Sequence, residues 1–519
     1  ENTKLIDNDL NGTARYVGMG GAMEALGADI SVINSNPAGI GLFRRSSGSV
    51  SFGLVSQDGA SSFKYGNKTN ASFDQAGFVY SMRDGRRTFI NFGFNYHKSK
   101  NFDYILNAAS GLNGASQHKL SYMKALANEN NLDKTSSGWR GKFAYTSQLD
   151  NLYYNTLMMT SSDGFFYNDA SRYEFGRAET GYIGEYNFNT SANVNDRVYL
   201  GVTIGIHDVH YTGHSLYNEA LVNLNNQTAG DITVNDERRI TGTGYNASFG
   251  IIFRPVDASP FRIGLSVTTP TLYDLKTSNY TYLINNTKAD GGGKLQGDYP
   301  NYTTGESYEF KLFTPWKYGV SLGHTVGNYL ALGASYEYAD YSRLDTRVND
   351  GYDVDYWGDV YEHSSSDEPM NRHTRETLKA VSTLNIGAEA KVMPNLAVRA
   401  GYNYVSPMLK KEGYKDGNID SYGSNYSSAT DYTNWEATNR YTVGVGYTLG
   451  KMSFDLAYQY AQTNGKFHPF ADSYLDYTYP GQDSNGNDVT MTESLDNYAN
   501  AVNVSNKRNQ LLLTLTYRF

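Results

Sequence analysis

His207, His210 and His214 stand close enough in the chain to raise the question of a metal or haem site. Imidazoles are good ligands, but several must converge on one point. These three follow a run in which apolar and polar residues alternate, so His207 and His210 project from opposite faces of a strand. They read as polar residues at the rim of a barrel, and no metal is assigned. Gly18-Met19-Gly20-Gly21 has the glycine content of a phosphate loop. It follows no strand of a βαβ unit and lacks the Gly-Lys-Ser/Thr of a phosphate site, so no nucleotide is expected. Asp353-Val354-Asp355-Tyr356-Trp357 and Ser365-Ser366-Asp367-Glu368 could attract cations. Such acidic runs are ordinarily solvated loop surface. No Gly-x-Ser-x-Gly elbow is present. Neither a catalytic residue nor a cofactor is expected, and the chain reads as a non-enzyme.

The elements that position these residues are strands. The 519 residues include 46 Tyr and 52 Gly, only 11 Pro and no Cys. Tyrosine suits pleated surfaces and membrane interfaces, where one end of the ring is apolar and the other wet. Without cysteine there is neither a disulfide framework nor a thiolate metal site. The net charge of -9 comes with no basic block, so nucleic acid is not an expected partner. No run of about 18 apolar residues occurs, which excludes a helical membrane protein. In Ile90 to His97 apolar or aromatic residues alternate with polar ones or glycine. The same alternation runs through Val198–Ile206, Tyr441–Leu449 and Met452–Tyr460. Each such segment has one greasy face and one polar, small face, and its length of about nine to eleven residues fits a tilted strand crossing a bilayer.

The connections alternate between short and long. Arg83-Asp84-Gly85-Arg86, Asn195-Asp196-Arg197, Pro255–Pro260, Val326-Gly327-Asn328, Met393-Pro394-Asn395 and Gly450-Lys451 are tight. Long polar stretches lie between them, near 58–71, 100–178, 212–236, 275–306, 345–376, 408–434 and 463–509. This rhythm predicts an all-β fold: a closed antiparallel transmembrane β-barrel of about 14 strands over residues 46–519. An even count puts both termini on one side, the periplasmic side of a Gram-negative outer membrane. The last segment carries Leu511, Leu513, Leu515, Tyr517 and Phe519 on one face. Tyr517 and Phe519 resemble the terminal signal read by the barrel-insertion machinery. No apolar leader opens the chain, so any secretory signal is expected to have been removed.

Residues 1–45 break the alternation. They are rich in Gly and Ala, with a turn at Asn36-Pro37, and suit close packing in a confined place such as a barrel lumen. The run Gly12 to Ala28, with Gly18, Gly20 and Gly21, followed by Asn36-Pro37-Ala38-Gly39, resembles the N-terminal hatch of the FadL family of outer-membrane transporters for hydrophobic compounds. Phe313-Thr314-Pro315-Trp316-Lys317-Tyr318, Val398-Arg399-Ala400-Gly401-Tyr402 and the terminal Tyr517-Arg518-Phe519 are similar to later stretches of that family.

The resemblance implies a hatch over 1–45 that plugs the lumen, and passive uptake of hydrophobic small molecules such as fatty acids. It further implies capture among the extracellular loops and lateral release through a kinked strand. In this chain the largest connection, 100–178, carries helix-spaced apolar residues, and Leu120, Met123, Leu126, Leu157, Met158 and Met159 form a candidate groove. The methionines suit a promiscuous apolar site. Gly93, inside the third strand, is the candidate kink. The alternative is a FadL-type barrel serving as scaffold or accessory subunit of an outer-membrane export or assembly machine, with other outer-membrane proteins or lipoproteins as partners besides lipid.

Overall fold

In a computed structural model the described residues are 2–127, 132–135, 138–141, 147–154, 156–159, 165–223, 225–287, 302–416, 419–482 and 487–519. Alternating side chains commit the chain to strands, and the barrel consists of fourteen. They are β1 (Ser47–Asp58), β2 (Thr69–Arg83), β3 (Phe89–Asn101), β4 (Asp169–Val194), β5 (Val198–Val222) and β6 (Thr228–Phe253). β7 is Arg262–Thr268 continued by Leu272–Asn285, and β8 is Tyr302–Phe313 continued by Lys317–Val326. The rest are β9 (Leu330–Asp340), β10 (Ala380–Met393), β11 (Leu396–Val405), β12 (Tyr432–Leu449), β13 (Met452–His468) and β14 (Val502–Arg518). Each pairs antiparallel with the next. β14 returns to β1, from Ser47↔Arg518 to Asp58↔Lys507, and closes the ring. Closure removes the unpaired edges that lipid penalises by several kcal/mol per orphan group.

Burial is inverted relative to a water-soluble protein. Phe78, Phe188 and Ile204 are half exposed or more, whereas Gln75, Asn91, Asn95, Asn187 and Asn193 are wholly buried. The outward rings form a belt: Phe94 packs on Phe188 with centroids 5.2 Å apart, and Tyr96 on Tyr186 at 5.1 Å. An apolar surface continuous around a ring is a liability in water and is what a bilayer requires. Among the described residues no helix is long and apolar enough to cross a membrane.

Two expectations are corrected. β4, β5 and β6 run for 26, 25 and 26 residues, far past the length of a crossing strand. The stretch 212–236, expected to be a long loop, is therefore mostly an extension of β5 and β6, paired as far as Val222↔Thr228. Beyond the bilayer the outer face meets water, apolar alternation is no longer required, and the strand loses its sequence signal. β7 and β8 are each interrupted at a Thr-Pro, Thr269-Pro270 and Thr314-Pro315, where proline removes a ladder donor.

Candidate functional site

Small residues fix the path of the N-terminal segment. Thr13 caps helix α1 (Ala14–Gly18), its Oγ1 accepting the Tyr16 N–H at 3.1 Å. Gly20 and Gly21 have φ of +63° and +83°, left-handed conformations that suit glycine. Asn36 is wholly buried; its Oδ1 accepts the Ala38 N–H at 3.2 Å and so caps the 3-10 turn Pro37–Leu42. The segment rests directly on glycines of the inward wall. A Cβ on Gly401 would lie 2.2 Å from Gly20 N, one on Gly387 2.1 Å from Met19 O, and one on Gly201 2.4 Å from the Pro37 carbonyl. Arg15 donates to both oxygens of Glu389 at 2.9 Å, and Arg399 joins Glu389 and Asp455 at 2.6 Å each. Arg399 and Glu389 are buried, so this chain of charges is costly to break from one side only.

One part of the wall is incomplete. The β2–β3 ladder runs from Arg83↔Phe89 to Gln75↔His97 and stops. Past that point β3 shifts register between Lys98 and Lys100 and stays with β4, while Thr69–Phe73 of β2 stay with β1. Residues 7–11 of the N-terminal segment lie at the opening. The Asp9 N–H donates to Ser99 O at 2.7 Å, and Asp9 Oδ2 accepts the Asn101 N–H at 2.9 Å. Asn11 Nδ2 bonds to Lys98 O and to Asp74 Oδ1, both at 2.9 Å. Asp7 pairs with Lys100 at 2.7 Å, and Arg440 and Arg508 approach Asp9 at 3.6 and 3.5 Å. Burial alone would raise the Asp9 carboxyl, but Lys100, Arg508 and Arg440 outweigh it and hold it at about 2.

A cavity of about 670 Å³ adjoins this opening. Ile6, Phe102, Phe310, Leu344, Leu378 and Met408 give it an apolar wall. Lys4, Arg177, Arg238 and Lys415 line it too, together with Glu179, Asp431 and Asp416. Arg177 pairs with Asp431 at 2.7 Å, and Lys4 with Glu179. Burial pushes the half-buried Lys415 down to about 7; Asp431 opposes the shift, and Arg238, Arg177 and Lys4 add to it. Among the described residues the buried Tyr104 and Tyr308 hydroxyls and Asn101 Nδ2 on the lining have no hydrogen-bond partner. A greasy wall with polar groups left to satisfy suits an amphipathic occupant.

No family model and no curated protein matches the sequence. Among solved structures the chain is similar to the crystal structure of a Pseudomonas aeruginosa FadL homologue, at 14% identity and a TM-score of 0.51, over 99% of each chain. The fold is that of a FadL homologue. Two further crystal structures match over 98% of this chain and 99% of theirs: the P. putida toluene transporter TodX, at 10% identity and a TM-score of 0.48, and the Ralstonia pickettii toluene transporter TbuX, at 14% and 0.44.

Within this FadL-like fold the expected site residues are dispersed. Gly18, Gly20, Gly21, Asn36, Pro37, Ala38 and Gly39 are buried together against the wall. Gly93 pairs regularly with Val79 and Asn189, so the irregularity of β3 lies five residues further on, after Lys98. Gly93 is small for another reason: Ile33 and Ile40 lie 3.4 and 3.6 Å from where its Cβ would be. Leu120 is buried in a cluster with Leu149, Leu152 and Tyr153, and Leu157 packs with Ala125 and Tyr154. Met123 is buried and Leu126 half-buried. None of these four lines the cavity; helix α2 (Gln117–Ala127) uses its apolar side against helix α3 (Gln148–Tyr154). The side chains of Met158 and Met159 lie outside the described residues. Tyr517 and Phe519 stand on the outer face with rings 5.1 Å apart. His207 is buried and inward, 3.4 Å from Glu185, while His210 is exposed beside Asp208 at 2.9 Å and His214 stacks on Tyr65. Sequence reasoning missed Arg177 and Glu179, whose spacing from Phe175 and Ile183 continues the inward face of β4 into the supposed loop.

Proposed function

We propose that the chain is an outer-membrane channel for passive uptake of hydrophobic small molecules, with fatty-acid-like ligands foremost. The short turns and both termini face the periplasm. Residues 1–45 act as the hatch. A ligand enters at the loop end, lays its apolar part against Phe310, Leu344 and Met408, and meets Lys415 and Arg238 with an anionic head. It leaves sideways between β2 and β3 once residues 7–11 shift. The observation that carries this reading is the adjacency of a partly apolar cavity to a break in the β2–β3 ladder, which residues 7–11 cover and only side chains such as Lys98 and Ser72 bridge. Diffusion into lipid then needs no energy source.

The test uses the absence of native cysteine. Asn11→Cys and Asp74→Cys, bridged by a short cleavable bis-thiol reagent in proteoliposomes, should abolish uptake of a labelled fatty acid, and cleavage should restore it. Unchanged uptake in the bridged protein would refute lateral release. The scaffold reading draws on one observation: Tyr356 and Trp357, on the hairpin of Asp345–Val354 and Val360–Ser366, are 95% and 83% exposed. Stoichiometric proteins retained in mild detergent, with no uptake, would favour it.

A further inference from the structure

The lipid-facing wall has a notch where the ring closes. Gly48 of β1 lies between Phe78 of β2 and Tyr517 of β14 in the ladder. An added Cβ there would meet only Gly77 O, at 3.7 Å. The notch, of about 520 Å³, is bounded by Val50, Ala76, Phe78, Phe94, Leu515 and Tyr517, with almost no polar surface. A flat apolar belt needs no such recess to sit in a bilayer; a recess holds one chain longer than its neighbours do.

The same strands carry an unbalanced charge at their short-turn end. The β2–β3 turn reads Arg83-Asp84-Gly85-Arg86-Arg87. The Arg83 guanidinium holds the turn, donating to Gly85 O at 2.8 Å and Arg86 O at 3.2 Å. Arg86 and Arg87 are exposed, as are Arg45 and Lys451 at that end of the seam, and among the described residues none of the four is in an ion pair. Across the barrel the connections 326–330 and 393–396 carry no charge. From Phe78 to Arg83 is about 17 Å along the strand at 3.3–3.4 Å per residue. With a tilt of about 40° the notch lies about 13 Å from the turn, within the ~15 Å of hydrocarbon that one leaflet contributes.

We propose that this seam is a binding site for an anionic phospholipid, with one acyl chain in the notch at Gly48 and the phosphate on Arg86 and Arg87. The two halves of the site match a single amphiphile in chemistry and in spacing. Guanidinium forks suit phosphate oxygens. The site lies on the outer wall, so it is separate from the cavity and from any cargo.

The test is native mass spectrometry of the full chain, released from nanodiscs of equal phosphatidylglycerol and phosphatidylcholine. One phosphatidylglycerol retained per barrel is expected. The double variant Arg86→Gln/Arg87→Gln, confined to an exposed turn, should lower its retention at least tenfold and remove the headgroup preference. Gly48→Phe, which the open space accommodates, should remove retained lipid of either kind. Retention indifferent to headgroup, or unchanged in the arginine variant, overturns the proposal. So does a protein cross-linked at position 48 in place of lipid. Uptake assays on the same variants report separately on transport, so failure of either reading is visible alone.

Discussion

Gly401→Ala tests whether the wall glycines set the position of the N-terminal segment. The new Cβ would lie 2.2 Å from Gly20 N and 2.3 Å from the Met19 carbonyl carbon. Ordinary contacts between heavy atoms are about 3.5 Å, so backbone must separate from backbone by ~1 Å. No flexible side chain can absorb this. Overpacking of this kind costs about 1–3 kcal/mol. Alanine is otherwise better than glycine in a strand by roughly 0.5–1 kcal/mol, which offsets part of it. The net, about 1–2 kcal/mol, is a factor of 5–30 in a local equilibrium. Hydrogen exchange should show amides around Gly18–Gly21 less protected by that factor, with β11 itself unchanged. Gly93→Ala is the control, since its nearest neighbour stands at 3.4 Å and ordinary contact results. Equal protection in wild type and Gly401→Ala, or equal losses in both variants, would refute the reasoning.

Glu389→Gln leaves the buried Arg399 and the half-buried Arg15 with one charged partner fewer, a change that should cost about 3 kcal/mol, the low end for a buried pair; limited proteolysis should cut the N-terminal segment while the barrel persists. Asp9 is held at about 2, so its contribution is complete above the ordinary carboxylate range and is lost as pH falls through about 2. Ion leak through the pore should therefore be flat from neutrality to mild acid, and Asp9→Asn should raise it at every pH in planar-bilayer recordings. Lys415, pushed down to about 7, loses its charge as pH rises through that value. Affinity for a fatty-acid anion should fall above about pH 7, and Lys415→Met should flatten the profile in fluorescence titrations. Phe519→Ala should slow insertion into membranes, read as accumulation of unfolded chain.

Legibility followed the solvent of each face. Where a strand crosses apolar surroundings, as in Val198–Ile206, its outward residues must be apolar and the alternation is plain. All fourteen crossings were readable for that reason. The same strands beyond the bilayer, such as His214–Val222 opposite Thr228–Glu237, still send Leu221, Ile232 and Val234 into an inner apolar cluster, but their outer face is no longer regularly apolar and they resemble loop. The glycines and Asn36-Pro37 of the N-terminal segment announced tight packing, since backbone contact leaves few residue choices. The cavity was not readable. Its charged lining, Lys4, Arg177, Arg238 and Lys415, comes from four separate segments that only the closed ring brings together. The wall gap left no mark either, because a strand that parts from its neighbour keeps its own alternation.

The length of β4–β6 has a consequence for where the molecule meets its surroundings. Twenty-six residues span about 85 Å along a strand, and at a tilt of about 40° this is ~65 Å of height. The hydrocarbon core takes up about 30 Å of it. The remainder continues as a paired wall: Tyr104–Gly111 joins β4, β5 and β6 pair to the tip at Val222↔Thr228, and Leu272–Asn285 of β7 lines β6. Under the proposed function it would hold the mouth well above the hydrocarbon, where a greasy solute could enter directly from water.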